Sequence, residues 1–579
     1  MFAIVTKKIA EYPTNAMYSF KNTATNKSFT VMGDFPVLYP AMTVDISWDV
    51  TPKGNNLKQI NVPKTPRNIN SLTKHNINPD TYFSKIEVHN QTELSFKDLK
   101  YIDNPYVYSS DIQGLPGFEK ADKIAFALGL LQLDSRRLTA IKAKLIELFR
   151  SKRQDTYTLE EYIEMYRKIE NKGSFPLVDI DIIIESTKSF AYTSDLKLAD
   201  TELLEAKEYV KKDISRRKYE YHGLLFRKEV QEYLSKNDVL KGNQRIAVEK
   251  LSDTKPTIVT GGAGVGKTTT VKSIIGLYSQ SYNSEKICLL APTGKASRRL
   301  SEATGMPATT IHNRLRKTPD DDYVYFDENR KLPYTLFIVD EASMIDTLLM
   351  SSLLKAIPEQ AKLYLIGDCH QLYPVGPGEP FHDMIKNNEC EVVVLTQNFR
   401  QDALSGISEN ARNILKGKKI TEHDDFVIRH IKKDNIPLYV SEDILNISPY
   451  NSVNDMINKT ITSKHIPCES KPVFYKGEKV IALKNTNDFC NGDTGIVEKT
   501  DNNEIIIRFP EGLVTVPKED FSLIMPAYSL TVHKCQGSEY DEINIFLPEK
   551  MTKFITRRLV YTAVTRAKKK VNLFFYDAA

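Results

Sequence analysis

Residues 260–270, TGGAGVGKTTT, constrain this chain more than any other stretch. The apolar, β-branched run PTIVT (256–260) precedes them and reads as a buried strand, and VKSIIGLY continues them as a helix. GGAGVGKT (261–268) matches G-x-x-x-x-G-K-[ST] in the strand–loop–helix setting that this motif needs. Glycines let the backbone N–H groups turn toward phosphates, and the helix N-terminus adds positive potential. Gly262, Gly264, Gly266 and Thr269 are candidate phosphate-loop contacts, Lys267 would reach the β- and γ-phosphates, and Thr268 would ligate Mg²⁺. The expected cofactors are ATP and Mg²⁺.

A second element supplies acid. LFIVDEAS (336–343) places two carboxylates at the C-terminal end of a buried strand, where ligands bind in parallel α/β sheets. Asp340 would hold the metal, and Glu341 would orient or deprotonate the attacking water. From about residue 240 strands and helices alternate, as in a parallel α/β sheet.

The chain has 579 residues, enough for several domains at ~100–200 residues each. A net charge of +5 permits nucleic acid without demanding it. No run approaches the ~18 apolar residues of a membrane span, so no membrane partner is expected. The six cysteines (Cys288, Cys369, Cys390, Cys468, Cys490 and Cys535) include no CxxC pair, which fits a reducing cytosol and speaks against a zinc site or a disulfide framework. Residues 1–62 read as short strands of a small β-barrel, 63–103 as linker and 104–230 as largely helical, with a capping box at Thr158–Glu161. Residues 471–525 turn β-rich again.

Eight blocks bear on what the nucleotide is used for. In order they are GGAGVGKTTT, APTGKASRRLSEATG (291–305), TIHNRL (310–315), FIVDEASMID (337–346), IGDCHQLYPVGPGEP (366–380), LTQNFRQ (395–401), YSLTVHKCQGSEYDEI (528–543) and RRLVYTAVTRAKKKV (557–571). This series resembles superfamily 1 helicases, most closely their RecD-like 5′-to-3′ branch. The N-terminal region resembles a shortened form of the stand-alone RecD-like proteins. The resemblance implies an α/β fold of two RecA-like P-loop motor domains: 231–390, and 391–470 with 526–579. It also implies an SH3-like insert at 471–525, an OB-like N-terminal β domain and a helix-hairpin-helix segment within 104–140. Residues 318–334 would form a β-hairpin pin that splits the duplex; a surface loop is the other reading.

Site residues follow from the same blocks. Gln244 would read adenine, and Gln371 would touch the γ-phosphate. Arg400 and Arg566 would be arginine fingers, and Gly537 and Glu539 would lie near the nucleotide. Pro292, Thr293, Lys295, His312, Thr531, His533 and Lys534 would line the DNA strand. Arg298 and Arg299 are equally readable as phosphate contacts or as a solvated helix face. Cys535 stands where a serine is expected, at the cost of a hydroxyl–phosphate contact. The implied enzyme is an ATP hydrolase and 5′-to-3′ DNA helicase, acting as a monomer in the cytoplasm of a bacterial or phage-infected cell. Its partners would be single-stranded and tailed or forked duplex DNA, with replication or recombination proteins. Two other readings stay open: an ATP-driven translocase that does not separate strands, and an RNA helicase.

Overall fold

The computed structural model describes the strands within residues 2–61, stretches of 121–220, and residues 225–577 apart from 226, 317–324, 398–404, 466–473 and the single positions 485, 487, 490, 502, 511, 551 and 553. The linker 63–103 and most of the segment 104–140 lie outside the described residues, as does Arg400. The chain divides into two units, Met1–Leu204 and Glu205–Ala579.

In the first unit five strands, Phe2–Glu11, Ala16–Asn22, Ser28–Gly33, Gly54–Asn61 and Thr43–Thr51, close into a barrel in that order. Helices Ser135–Lys152 and Leu159–Glu170 share an apolar core that includes Ile141, Leu145, Phe149, Met165 and Tyr166. The capping box forms reciprocally: Thr158 N donates to Glu161 Oε2 at 2.9 Å and Glu161 N to Thr158 Oγ1 at 3.3 Å.

The second unit is built on two parallel sheets. The first runs Ala308–Thr310, Ile287–Ala291, Leu336–Val339, Lys362–Gly367, Thr257–Thr260, Glu391–Val394. The second runs Phe426–Ile431, Ala567–Tyr576, Tyr540–Pro548, Leu445–Ile447, Ser529–Leu530. Every residue of the strands Thr257–Thr260, Leu336–Val339 and Lys362–Gly367 is buried, as expected of a sheet covered on both faces. Inserted in sequence between the strands Leu445–Ile447 and Ser529–Leu530 of the second sheet lies a five-stranded antiparallel sheet, Lys479–Ala482 to Ile524–Pro526, with its own core of Phe474, Val497, Ile505, Ile507 and Phe509.

Two expectations change, and a third falls partly outside the described residues. The strand Glu391–Val394 pairs in parallel with Thr257–Thr260, so the first sheet extends past residue 390. The helix Thr201–Glu220 joins that domain as well. Val210 and Ile214 sit in its core, and the buried Arg217 donates to the carbonyls of Ile357 at 3.0 Å and Pro358 at 2.7 Å while pairing with Asp213 at 2.5 Å. Of the hairpin expected at 318–334, residues 318–324 fall outside the described ones, and 325–334 run as bends and irregular backbone with no strand. Asp327 supplies the local alternative, its Oδ1 accepting from Asn329 N at 2.8 Å and Arg330 N at 3.0 Å. Among the described residues no helix is long and apolar enough to cross a membrane.

Candidate nucleotide and DNA site

The phosphate loop leaves the buried strand and enters the helix Lys267–Ser281 through two left-handed glycines, Gly264 at φ 78° and Gly266 at φ 82°. Lys267 Nζ donates to the carbonyls of Gly261 at 2.7 Å and Gly262 at 3.0 Å, so its ammonium lies on the loop. Gln244 is buried beneath it. Its amide nitrogen reaches the carbonyls of Val265 and Gly266 at 3.4 Å each, and its oxygen accepts from Lys241 N at 3.0 Å.

Asp340 and Glu341 follow the central strand. Burial, then the neighbouring Glu341 charge, pushes the Asp340 carboxyl up to about 6, while Lys267 and Arg299 act in the opposite direction. Glu341 adopts φ 51°, a conformation that is strained for a residue with a side chain. Among the described residues its buried Oε2 has no hydrogen-bond partner, and neither does Gln371 Oε1. Such orphaned acceptors are costly in a folded protein and suit sites completed by a ligand.

Gln371 sits in a loop held from the second sheet. Tyr561 donates its hydroxyl to Asp368 Oδ2 at 2.9 Å, and Gln371 Nε2 approaches the same oxygen at 3.5 Å. Thr562 Oγ1 accepts from Leu372 N at 2.9 Å. Arg558 donates to the carbonyl of Gln371 at 3.1 Å and to that of Cys369. Burial and the adjacent Asp368 raise the Tyr561 phenol well above its usual range, so it acts as a donor. Arg566 is buried one turn further on, donating to Thr562 O at 3.0 Å and Ser538 O at 3.1 Å.

These groups converge. A cavity of about 250 Å³ is lined by the phosphate loop with Thr268 and Thr269, by Asp340, Glu341 and Gln371, and by Arg566 and Glu539 from the second sheet's side. Arg299 also lines it, its Nη2 lying 2.8 Å from Glu539 Oε2. The cavity therefore offers three cations, three carboxylates, a glycine-rich cradle and two unpartnered acceptors. That set fits a metal-bound triphosphate, with Thr268 and Asp340 as the residues to hold Mg²⁺.

The expected DNA residues are distributed unevenly. Thr293 caps the helix Gly294–Thr304, accepting from Ala296 N at 3.3 Å, and lies against Gly537, where an added Cβ would be 3.5 Å from its Oγ1. Lys295 is turned onto Tyr540, donating to its hydroxyl at 3.1 Å. Pro292, Thr531 and His533 are partly exposed, and His312 and Lys534 are exposed. Thr531 Oγ1 accepts from Lys534 N at 3.3 Å. Cys535 is fully buried, and burial pushes its thiol up to about 12, which removes it from contact with phosphate. Arg298 and Arg299 are no solvated face: Arg298 lies 3.5 Å from Asp493 of the antiparallel sheet, and Arg299 belongs to the cavity.

Sequence reasoning missed Asp368, Arg558, Tyr561 and Thr562. One signal was available. Arg558 and Thr562 recur at i and i+4, which puts them on one face of the helix that leads to the arginine finger Arg566.

A phosphate loop, an acid-tipped central strand and an arginine brought in from a second parallel sheet define the class: a two-sheet P-loop fold. Models of two families match, an AAA domain at residues 244–377 and a UvrD-like helicase C-terminal domain at 526–574. Over 351 residues the chain is 32% identical to the ATP-dependent RecD2 DNA helicase of Deinococcus radiodurans, a match covering 57% of this chain and 48% of that one. It is 26% identical to the RecBCD enzyme subunit RecD of Buchnera aphidicola, covering 57% and 72% of the two chains. The resemblance to RecD-like superfamily 1 helicases is borne out by these relatives. The chain spans about half the length of the Deinococcus protein. Among solved structures, Bacteroides Pif1 bound to single-stranded DNA is 20% identical, covering 58% of this chain and 92% of that one, at a TM-score of 0.40. So low a TM-score leaves the assignment with the sequence relatives.

Proposed function

We propose that the chain is an ATP-dependent DNA helicase that moves 5′ to 3′ on single-stranded DNA and separates tailed or forked duplexes. The observation that carries this reading is the shared cavity, in which Lys267, Asp340, Glu341 and Gln371 of one sheet meet Arg566 of the other. A nucleotide held from both sides draws the sheets together, and its hydrolysis releases them. Bound Mg²⁺ would neutralise phosphate charge, with Thr268 and Asp340 as its ligands. Glu341 then positions the attacking water, and Arg566 meets charge developing on the transferred phosphoryl group. Arg400 would supply the second arginine. Pro292, Thr293, Lys295, His312, Thr531, His533 and Lys534 would border the strand, and the antiparallel sheet would serve as the SH3-like insert that channels it. The barrel would be the OB-like domain and 104–140 the helix-hairpin-helix segment, with 318–334 as the pin. The working form would be a monomer in the cytoplasm, partnered by replication or recombination proteins.

The test is unwinding of two tailed duplexes, one with a 5′ and one with a 3′ single-stranded tail, with Lys267→Ala as control. ATP-dependent separation of the 5′-tailed duplex alone is expected. Separation of the 3′-tailed duplex alone would refute the polarity. DNA-stimulated hydrolysis without separation of either would establish a translocase instead.

A further inference from the structure

We propose that Arg299 is a triphosphate-contacting residue of the cleft, and that Glu539 is the partner it leaves when the triphosphate binds. The inference rests on the nucleotide-site reading and is independent of strand separation.

Arg299 lies in the helix Gly294–Thr304, whose sequence suggested DNA or solvent. Its guanidinium instead enters the cavity that holds Lys267 and Thr268. There it meets Glu539, which precedes the strand Tyr540–Pro548 of the second sheet. Its neighbour Arg298 points to Asp493, so the direction is particular to Arg299. Charge explains the choice. Asp340, Glu341 and Glu539 face the same small volume as Lys267, Arg299 and Arg566. Without Arg299 a polyanionic phosphate chain would meet three carboxylates and two cations. The side chain stays 39% exposed, against 10% for Glu539, so it is free to exchange a carboxylate for phosphate oxygens. A guanidinium suits that exchange because its fork matches both acceptors.

A structural ion pair and a phosphate ligand respond differently to charge reversal. The experiment compares wild type, Arg299→Gln, and the double variant Arg299→Glu with Glu539→Arg. Binding of a fluorescent ATP analogue and thermal unfolding are measured in the full chain. Arg299→Gln is expected to weaken binding about tenfold or more, as loss of a charge-assisted contact does. The double variant is expected to recover the wild-type unfolding temperature but not the affinity. Recovery of both would show a structural pair and overturn the proposal, as would undiminished affinity in Arg299→Gln. The second criterion decides the matter where the double variant fails to fold. A wild-type protein that binds the analogue yet unwinds nothing would refute the helicase reading and leave this test intact.

Discussion

Tyr561→Phe removes one oxygen and keeps the ring. The phenol is 4% exposed, and its bond to Asp368 Oδ2 at 2.9 Å joins helix Arg557–Val564 of the second sheet to the loop that carries Gln371. Its loss leaves that oxygen with Gln371 Nε2 at 3.5 Å, while Oδ1 keeps His370 N at 2.9 Å. A hydrogen bond to a charged acceptor contributes about 1.5–3 kcal/mol, and the freed carboxylate oxygen draws the Gln371 amide toward itself and away from the cavity. At about 1.4 kcal/mol per tenfold, kcat for DNA-stimulated ATP hydrolysis should fall by roughly ten- to a hundredfold. KM for ATP should move little, because the phosphate loop is untouched. Asp368→Asn should reproduce the defect, and the double variant should be far less than additive, as for two groups sharing one contact. Steady-state hydrolysis at saturating single-stranded DNA reads all three. A wild-type kcat in Tyr561→Phe, or a change confined to KM, would refute the argument.

The remaining predictions concern packing, pH and salt. An added Cβ at Gly262 would lie 3.0 Å from Tyr561 Oη, so Gly262→Ala should impair hydrolysis, and Tyr561→Phe introduced on top should recover part of the ATP affinity measured by titration. Burial pushes Lys362 down to about 7, with Asp253, Lys250, Cys390 and Glu391 as its charged neighbours. Between that value and its ordinary 10.5 the unfolded chain holds a proton that the folded chain has lost, so stability rises with pH across this window. Unfolding midpoints taken from pH 6.5 to 9.5 should show that slope, and Lys362→Met should flatten it. Lys534 is exposed beside the strand Ser529–Leu530, and Lys534→Ala should reduce the salt dependence of DNA binding by about one counterion, read from log Kd against log salt.

The chemistry legible in the sequence was the chemistry that local structure encodes. A glycine-rich turn between a buried strand and a helix declares itself in eight residues, and two acids after an apolar run declare a strand end. Tertiary partners were not legible. EVVV (391–394) reads as a strand, but nothing in it says which sheet it joins, and it closes the edge of the first. The pair Arg298 and Arg299 was ambiguous because adjacent residues on a helix point about 100° apart, and only the folded surroundings give each its carboxylate. Lys295 at a strand end suggested phosphate, yet Tyr540, distant in sequence, takes its ammonium. Gln244 was read as facing adenine, and its amide is satisfied by the loop backbone.

The helix Gly294–Thr304 shows the same dependence on distant partners. Thr293 at its N-cap lies against Gly537, Lys295 bonds Tyr540, Arg298 approaches Asp493 of the antiparallel sheet, and Arg299 holds Glu539. All four partners follow residue 490 in sequence, while the helix packs on the first sheet through Leu300. An α-helix rises about 1.5 Å per residue and behaves as a rigid rod over such a length, so Thr293 and Arg299 are separated by only ~9 Å of it. Exchange of Glu539 for phosphate at one end therefore changes what holds the other end. A residue pattern that looked like a DNA-facing block is, in its folded setting, also a covalent link between the nucleotide cleft and residues proposed to border the strand.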